Sequence, residues 1–294
     1  MPVAGWRIIV ISSKSSVRVE KSCVLITRND ETDGIPLEQI KMIVFDSGSI
    51  SFDVGTISEL CKSGIKLIFC DEKHNPLSEM IILRNNTYSS GRLFEQINWE
   101  GRHKNAVWKR IVELKILNQY SVAAQVDKKR ASKLLEILAL LEEQNSNEAE
   151  ARAAKVYFRI LFGTGFNRRT ENNINSALIY GYAILMSLIN RAVVIRGYNM
   201  AIGINHHSVR NPFNLSCDLI EPFRPIVDSY VYINRGRELD FEYRCELIEL
   251  MTHKVVYNRR NMEVQNAVEV FMEDVFKELS GKNDRIGEIK LVGE

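Results

Sequence analysis

The polar, turn-forming run Asn85-Asn86-Thr87-Tyr88-Ser89-Ser90-Gly91 stands where the hydrophobic period of the chain changes from 2 to 3.6. Before it, short β-branched runs at 7–11, 23–27, 40–45, 65–70 and 80–83 alternate with turns, which is strand spacing. Asn29-Asp30 and Asp33-Gly34 read as turns, and 53–63 as a short helix stopped by Gly64. After it, Trp108, Ile111, Val112, Lys115, Ile116 and Gln119 mark an amphipathic helix. Leu134, Leu135, Leu138 and Leu141 mark another over 131–143. The expected fold class is α+β, a small strand-rich N-terminal domain at 1–90 followed by a larger all-α C-terminal domain at 91–294. The first domain has no histidine cluster and no glycine-rich phosphate loop, and reads as a dimerisation and partner-docking domain; the second reads as the catalytic one.

Within the second region, 145–147 is a break, with Asn147 a candidate cap for the helix that follows. The stretch 173–194 is almost uncharged and hydrophobic nearly all round, which predicts a buried central helix ended by Gly197. Asn175 and Asn190-Arg191 confine its uncharged part, so a membrane span is not expected. A charged helix at 242–252 and another at 262–279 complete the pattern, with His253 a helix-end residue. The loop Phe162–Thr170, FGTGFNRRT, lacks the Lys-Ser/Thr pair of a nucleotide-binding loop. No secretory leader pattern is present, and the five cysteines form no CxxC pair, so buried thiols in a soluble, cytoplasmic protein are expected.

The chemistry concentrates at 203–228, GINHHSVRNPFNLSCDLIEPFRPIVD. Asp218 and Glu221 are three apart, which on a helix puts both carboxylates on one face. His206 and His207 stand a short loop ahead of them. Pro222 and Pro225 loosen that helix at its own acidic pair. A metal site and a solvated acidic face with two polar histidines both fit this segment alone. Residues 150–158, EARAAKVYF, add a third carboxylate, Glu150, among small alanines that would let a neighbouring helix approach.

At these residues the chain resembles the metal-dependent integrases of CRISPR adaptation, in the short form of type II systems. The family motif Glu-Gly-x-Ala-Ala-Arg-x-Tyr-Phe is matched at Glu150, Ala153, Ala154, Tyr157 and Phe158, with Ala151 for Gly and Lys155 for Arg. Gly-x-x-His, eleven residues, then Asp-x-x-Glu-x-Phe-Arg-Pro is matched at Gly203, His206, Asp218, Glu221, Phe223, Arg224 and Pro225, which selects His206 over His207. Gly5-Trp6-Arg7, the stretch Lys115-Ile-Leu-Asn-Gln119, and Asn175, Ala177, Tyr180, Gly181 and Tyr182 extend it.

The resemblance implies insertion of short DNA duplexes into a repeat array, with a DNA 3′-hydroxyl attacking a phosphodiester. Glu150, His206 and Glu221 would be the catalytic metal ligands, and Asp218, Arg224, Tyr157 and Asn175 would support them. Two carboxylates and an imidazole suit Mg²⁺ or Mn²⁺. The implied partners are double-stranded DNA, a second copy in a homodimer and a small ferredoxin-like companion protein, with no membrane. A plain metal-dependent DNase using water and a non-catalytic DNA-binding scaffold are the rivals. Net charge is only +2, yet residues 151–217 carry eight basic residues against Glu171 alone. If that block is one surface it suits a polyanion, and Arg168, Arg169 and Arg210 are its candidate DNA contacts.

Overall fold

The computed structural model describes residues 5–80, 89–141, 145–282 and 285–291. Residues 81–83 of an expected strand, 85–88 of the boundary run and 142–143 of an expected helix lie outside the described residues. The chain divides into two compact units, Met1–Asn85 and Asn86–Glu294.

The first unit contains β1 (Arg7–Ile11), β2 (Ser15–Glu20), β3 (Cys23–Arg28), β4 (Glu31–Pro36), β5 (Ile40–Phe45), β6 (Ile50–Phe52), α1 (Val54–Lys62), β7 (Lys66–Cys70) and β8 (Pro76–Glu79). One sheet runs β1-β5-β7-β8 and the other β4-β3-β2-β6. All six residues of β5 are buried, because it is central and paired in parallel with β1 and β7. Ile11, Val17, Val24, Ile26, Ile43, Leu60 and Leu67 share one core. Asp53 starts α1 by accepting the Thr56 amide at 2.6 Å. Asp33-Gly34, expected as a turn, lies inside β4. The hairpin is already closed at Asn29-Asp30, both with positive φ, and Lys21-Ser22 closes the preceding one in the same way.

The second unit begins with α2 (Ser89–Ile97) and α3 (Gly101–Ala139). The two helices expected over 108–143 are one long element broken at Asp127, whose φ of −152° leaves the helical region and whose side chain accepts the Arg130 amide at 2.9 Å to restart it. Then come α4 (Ser146–Phe162), α5 (Asn173–Ile195), α6 (Asn214–Ile220), α7 (Arg224–Ile233) and α8 (Phe241–Glu249). Asn145, not Asn147, caps α4; Asn147 instead accepts the Trp108 indole N–H at 2.7 Å.

The fully buried Ala149 and Ala153 lie on α4, which packs against α3. Helix α5 is long and apolar enough to cross a membrane by composition, yet 72% of its most apolar window is buried inside the protein. It is the core helix. Gly181 on it meets α7 so closely that a Cβ there would stand 2.5 Å from Val227 Cγ1.

The helical unit is not helical throughout. β9 (Lys254–Tyr257), β10 (Arg260–Glu263), α9 (Val264–Leu279) and β11 (Ile289–Leu291) follow, and the strands form an antiparallel sheet ordered β10-β9-β11. Asn258-Arg259, both with positive φ, turn its hairpin. Without a glycine there, nothing in the sequence pattern announces it. All five cysteines are half-buried, where buried thiols were expected.

Candidate metal and nucleic-acid site

Glu150 and Glu221 reach the same point from different elements. Glu150 lies in the second turn of α4, and Glu221 opens a single 3-10 turn, Glu221–Phe223, between α6 and α7. Pro222 and Pro225 account for that tight turn, since neither can donate a helical hydrogen bond. The Pro222 carbonyl accepts Asn118 Nδ2 at 2.9 Å, tying the turn to α3. Between the two carboxylates lies the ammonium of Lys115, also from α3. It makes a short contact with Glu150 Oε1 and stands 2.5 Å from Glu221 Oε2.

These charges are nearly dry. Lys115 is 5% and Glu221 6% exposed. Burial pulls the Lys115 ammonium down, but Glu221 and then Glu150 more than offset it, so its pKa is raised. Burial likewise pushes Glu221 up, while Arg224 and Lys115 outweigh it and hold the carboxyl below its usual range. Arg224 Nε lies 3.5 Å from Glu221 Oε1, and its guanidinium stacks 4.7 Å over the Tyr182 ring.

Asp218 does not share this point. Its carboxylate, wholly buried, accepts the amides of Ile204 (2.6 Å), Asn205 (3.0 Å) and His206 (3.1 Å), and Nδ1 of His206 at 2.7 Å. The bond to Asp218 raises the imidazole pKa, with Glu221 and Glu150 adding smaller attractions. Gly203 makes room for this cradle: a Cβ there would stand 2.3 Å from the His206 carbonyl and 2.9 Å from Asp218 Oδ2. His206 remains 44% exposed at its side chain and meets Trp108 edge-on at 5.9 Å, while His207 is exposed.

Among the described residues no three His, Cys, Asp or Glu side chains surround one cation position. What converges is Glu150 with Glu221, around an ammonium. The donor chemistry fits a cation. Two carboxylates already hold one, and buried Glu221 Oε2 faces that ammonium.

Tyr157 is fully buried and lies with Tyr182 against Asp228; the Tyr182 hydroxyl makes a short hydrogen bond to Asp228 Oδ1. Asn175 organises the loop before α5, donating from Nδ2 to the carbonyls of Asn167 (2.8 Å) and Thr170 (2.7 Å). Arg168 is held by that loop, donating to Asn175 Oδ1 at 2.6 Å and facing the Phe158 and Tyr182 rings. Arg169 and Arg210 are exposed. The basic block does not form one surface. Arg191 and Arg196 both turn to Glu269, at 3.0 and 2.7 Å. Sequence reasoning missed Lys115 as the counter-ion. Its signal was a lysine, with Gln119, on the apolar stripe of an amphipathic helix.

The same fold, strands followed by helices, occurs in solved structures of low sequence identity. A casposase bound to integration product superposes with a TM-score of 0.76 at 16% identity, over 96% of this chain and 92% of that one. A chain of a Cas6-RT-Cas1–Cas2 complex matches all of this chain, also at 0.76, with 15% identity; this chain spans 37% of it. The family described as CRISPR associated protein Cas1 matches residues 8–256, and the chain belongs to that family. A CRISPR-associated endonuclease Cas1 of Neisseria meningitidis is 31% identical over 284 residues, 95% of this chain and 93% of the relative.

Proposed function

We propose that the protein is a divalent-metal-dependent DNA endonuclease and integrase of CRISPR adaptation, acting in the cytoplasm, with Glu150, His206 and Glu221 as catalytic metal ligands. The observation that carries this reading is the convergence of Glu150 and Glu221 from separate elements on one cation position, near the half-exposed His206. Membership of the Cas1 family, an endonuclease relative and the casposase likeness support it. The oxygen and imidazole donors suit Mg²⁺ or Mn²⁺. Bound there, such an ion supplies Lewis-acid chemistry for a phosphodiester.

The chain's own groups have separable tasks. Asp218 accepts the Nδ1 proton of His206, which leaves Nε2 as the lone-pair nitrogen. Arg224 keeps Glu221 ionised. Arg169 and Arg210 contact phosphates, and Arg168 fixes the loop that presents Arg169. A DNA 3′-hydroxyl forms the new phosphorus–oxygen bond and gives up its proton as the old bond to a 3′ oxygen breaks and that oxygen gains a proton, so the bond count is conserved and no energy source is needed. The strand-rich unit serves dimerisation and docking of a small ferredoxin-like companion, in keeping with a structural neighbour that is a Cas1–Cas2 complex.

The test is a supercoiled plasmid carrying a repeat, incubated with a labelled short duplex and Mg²⁺ or Mn²⁺, with and without the companion. Label should join the plasmid. Glu150→Gln and Glu221→Gln should lose on the order of 10³ in rate, a few kcal/mol of transition-state stabilisation, while keeping DNA binding. His207→Ala should keep activity that His206→Ala loses. Nicking without joined label would favour a hydrolytic DNase; full activity in Glu150→Gln would remove the metal site from the mechanism.

A further inference from the structure

Lys115 lies on the buried stripe of α3, and a buried lysine persists only with partners. Its partners are the two carboxylates assigned above to the metal. Without a cation, Glu150 and Glu221 would repel, and buried Glu221 would not stay ionised beside the partly exposed Glu150. The ammonium therefore keeps the pair convergent in the metal-free protein. Its hold is nonetheless light. Among the described residues its ammonium pairs with these two carboxylates, and a lysine stem is long, flexible and ends in a compact point charge. Arg224, by contrast, is stacked on Tyr182.

We propose that Lys115 is a tethered counter-cation that competes with the divalent ion for Glu150 and Glu221, so that it sets metal affinity and leaves the pair when metal binds. This rests on the assignment of those carboxylates as ligands. Two cations cannot share the same oxygens in a dry site without strong mutual repulsion. Binding is then an exchange of one cation for another, and the free energy of the lysine contacts is subtracted from that of the metal.

Calorimetric titration of the full chain with Mn²⁺, without DNA, tests this in wild type, Lys115→Met, Glu150→Gln and Glu221→Gln. Lys115→Met, similar in volume and uncharged, should bind Mn²⁺ about tenfold more tightly than wild type, melt lower without metal and gain more in Tm on saturation. Reductive methylation of wild type, read by mass spectrometry, should find Lys115 protected without metal and modified at saturating Mn²⁺. If Lys115→Met binds no tighter while both glutamine variants lose binding, the competition is wrong and the metal site stands. If the glutamine variants bind Mn²⁺ as wild type does, the ligand assignment itself fails. Should Lys115→Met not fold, unchanged protection of Lys115 at saturating Mn²⁺ overturns the proposal on its own.

Discussion

The two acidic corners of the helical unit satisfy buried carboxylates in opposite ways. At Asp218 the compensation is fixed: three backbone amides and an imidazole point at one carboxylate, and all come from the 204–206 loop. At Glu150 and Glu221 it comes from side chains, the Lys115 ammonium on a flexible stem shared by both and the Arg224 guanidinium beside Glu221. Backbone donors cannot withdraw without unfolding the loop, whereas an ammonium can. The difference teaches which acids are open to a ligand. Asp218 is committed to His206 and its loop, while the glutamates share a side-chain cation.

The sharpest way to break this contrast is to remove each acid and measure stability. Asp218→Ala strands several buried amides at once, and at about 1–3 kcal/mol for each unsatisfied group it should cost at least ~3 kcal/mol in denaturant unfolding. Glu150→Gln leaves Lys115 paired with Glu221 and keeps a polar amide at a 28% exposed site, so about 1 kcal/mol is expected. Equal losses would mean that the two corners are held alike.

The same distinction explains what the sequence could reveal. Strands β1 and β5 stand at the bounds read from their β-branched runs: β5 is central and needs unbroken apolar side chains, and β1, at the edge, keeps residues 8–11 against it. β4, with four exposed residues of six, carries no such run, and β2 offers only Val17 and Val19 between polar residues; pairing with β3 completes both as strands. The spacing from Gly203 to Asp218 is legible because the His206 loop closes on Asp218 only with a side-chain-free Gly203. Lys115 stayed hidden because an ion pair across three elements leaves no spacing to read.

Asp228 sharpens the comparison as a third case, a buried carboxylate with a tyrosine hydroxyl and no backbone cradle. Burial pushes it up to about 6 from 3.8, against the pull of the Tyr182 bond and Arg224. Because the folded pKa is raised, the native state holds this proton more tightly than the unfolded chain does. That contribution is complete below pH 3.8 and is lost as pH rises through about 6. Relative to Asp228→Asn, wild type should lose about 3 kcal/mol of stability across that window, at 1.36 kcal/mol per pKa unit. A difference between the two that does not change with pH would show that Asp228 titrates as an ordinary carboxyl.

The smallest effects concern the arginines, where fixed and free groups again sit side by side. Arg168 is bound to Asn175 and faces two rings, so its removal should loosen the loop before α5 and lower Tm. Arg169 and Arg210 are exposed and can meet phosphates. Each phosphate contact adds about −0.9 to the log–log salt slope on duplex DNA, roughly fivefold in affinity near 0.15 M salt. Arg169→Ala and Arg210→Ala should each shallow the slope by about that amount, equally for any sequence, because phosphate contacts position a protein without reading bases. Their Tm should not move. If instead Arg168→Ala changes the salt slope and leaves Tm alone, the guanidinium on Asn175 is the exchangeable one, and the DNA path runs through the loop over Tyr182.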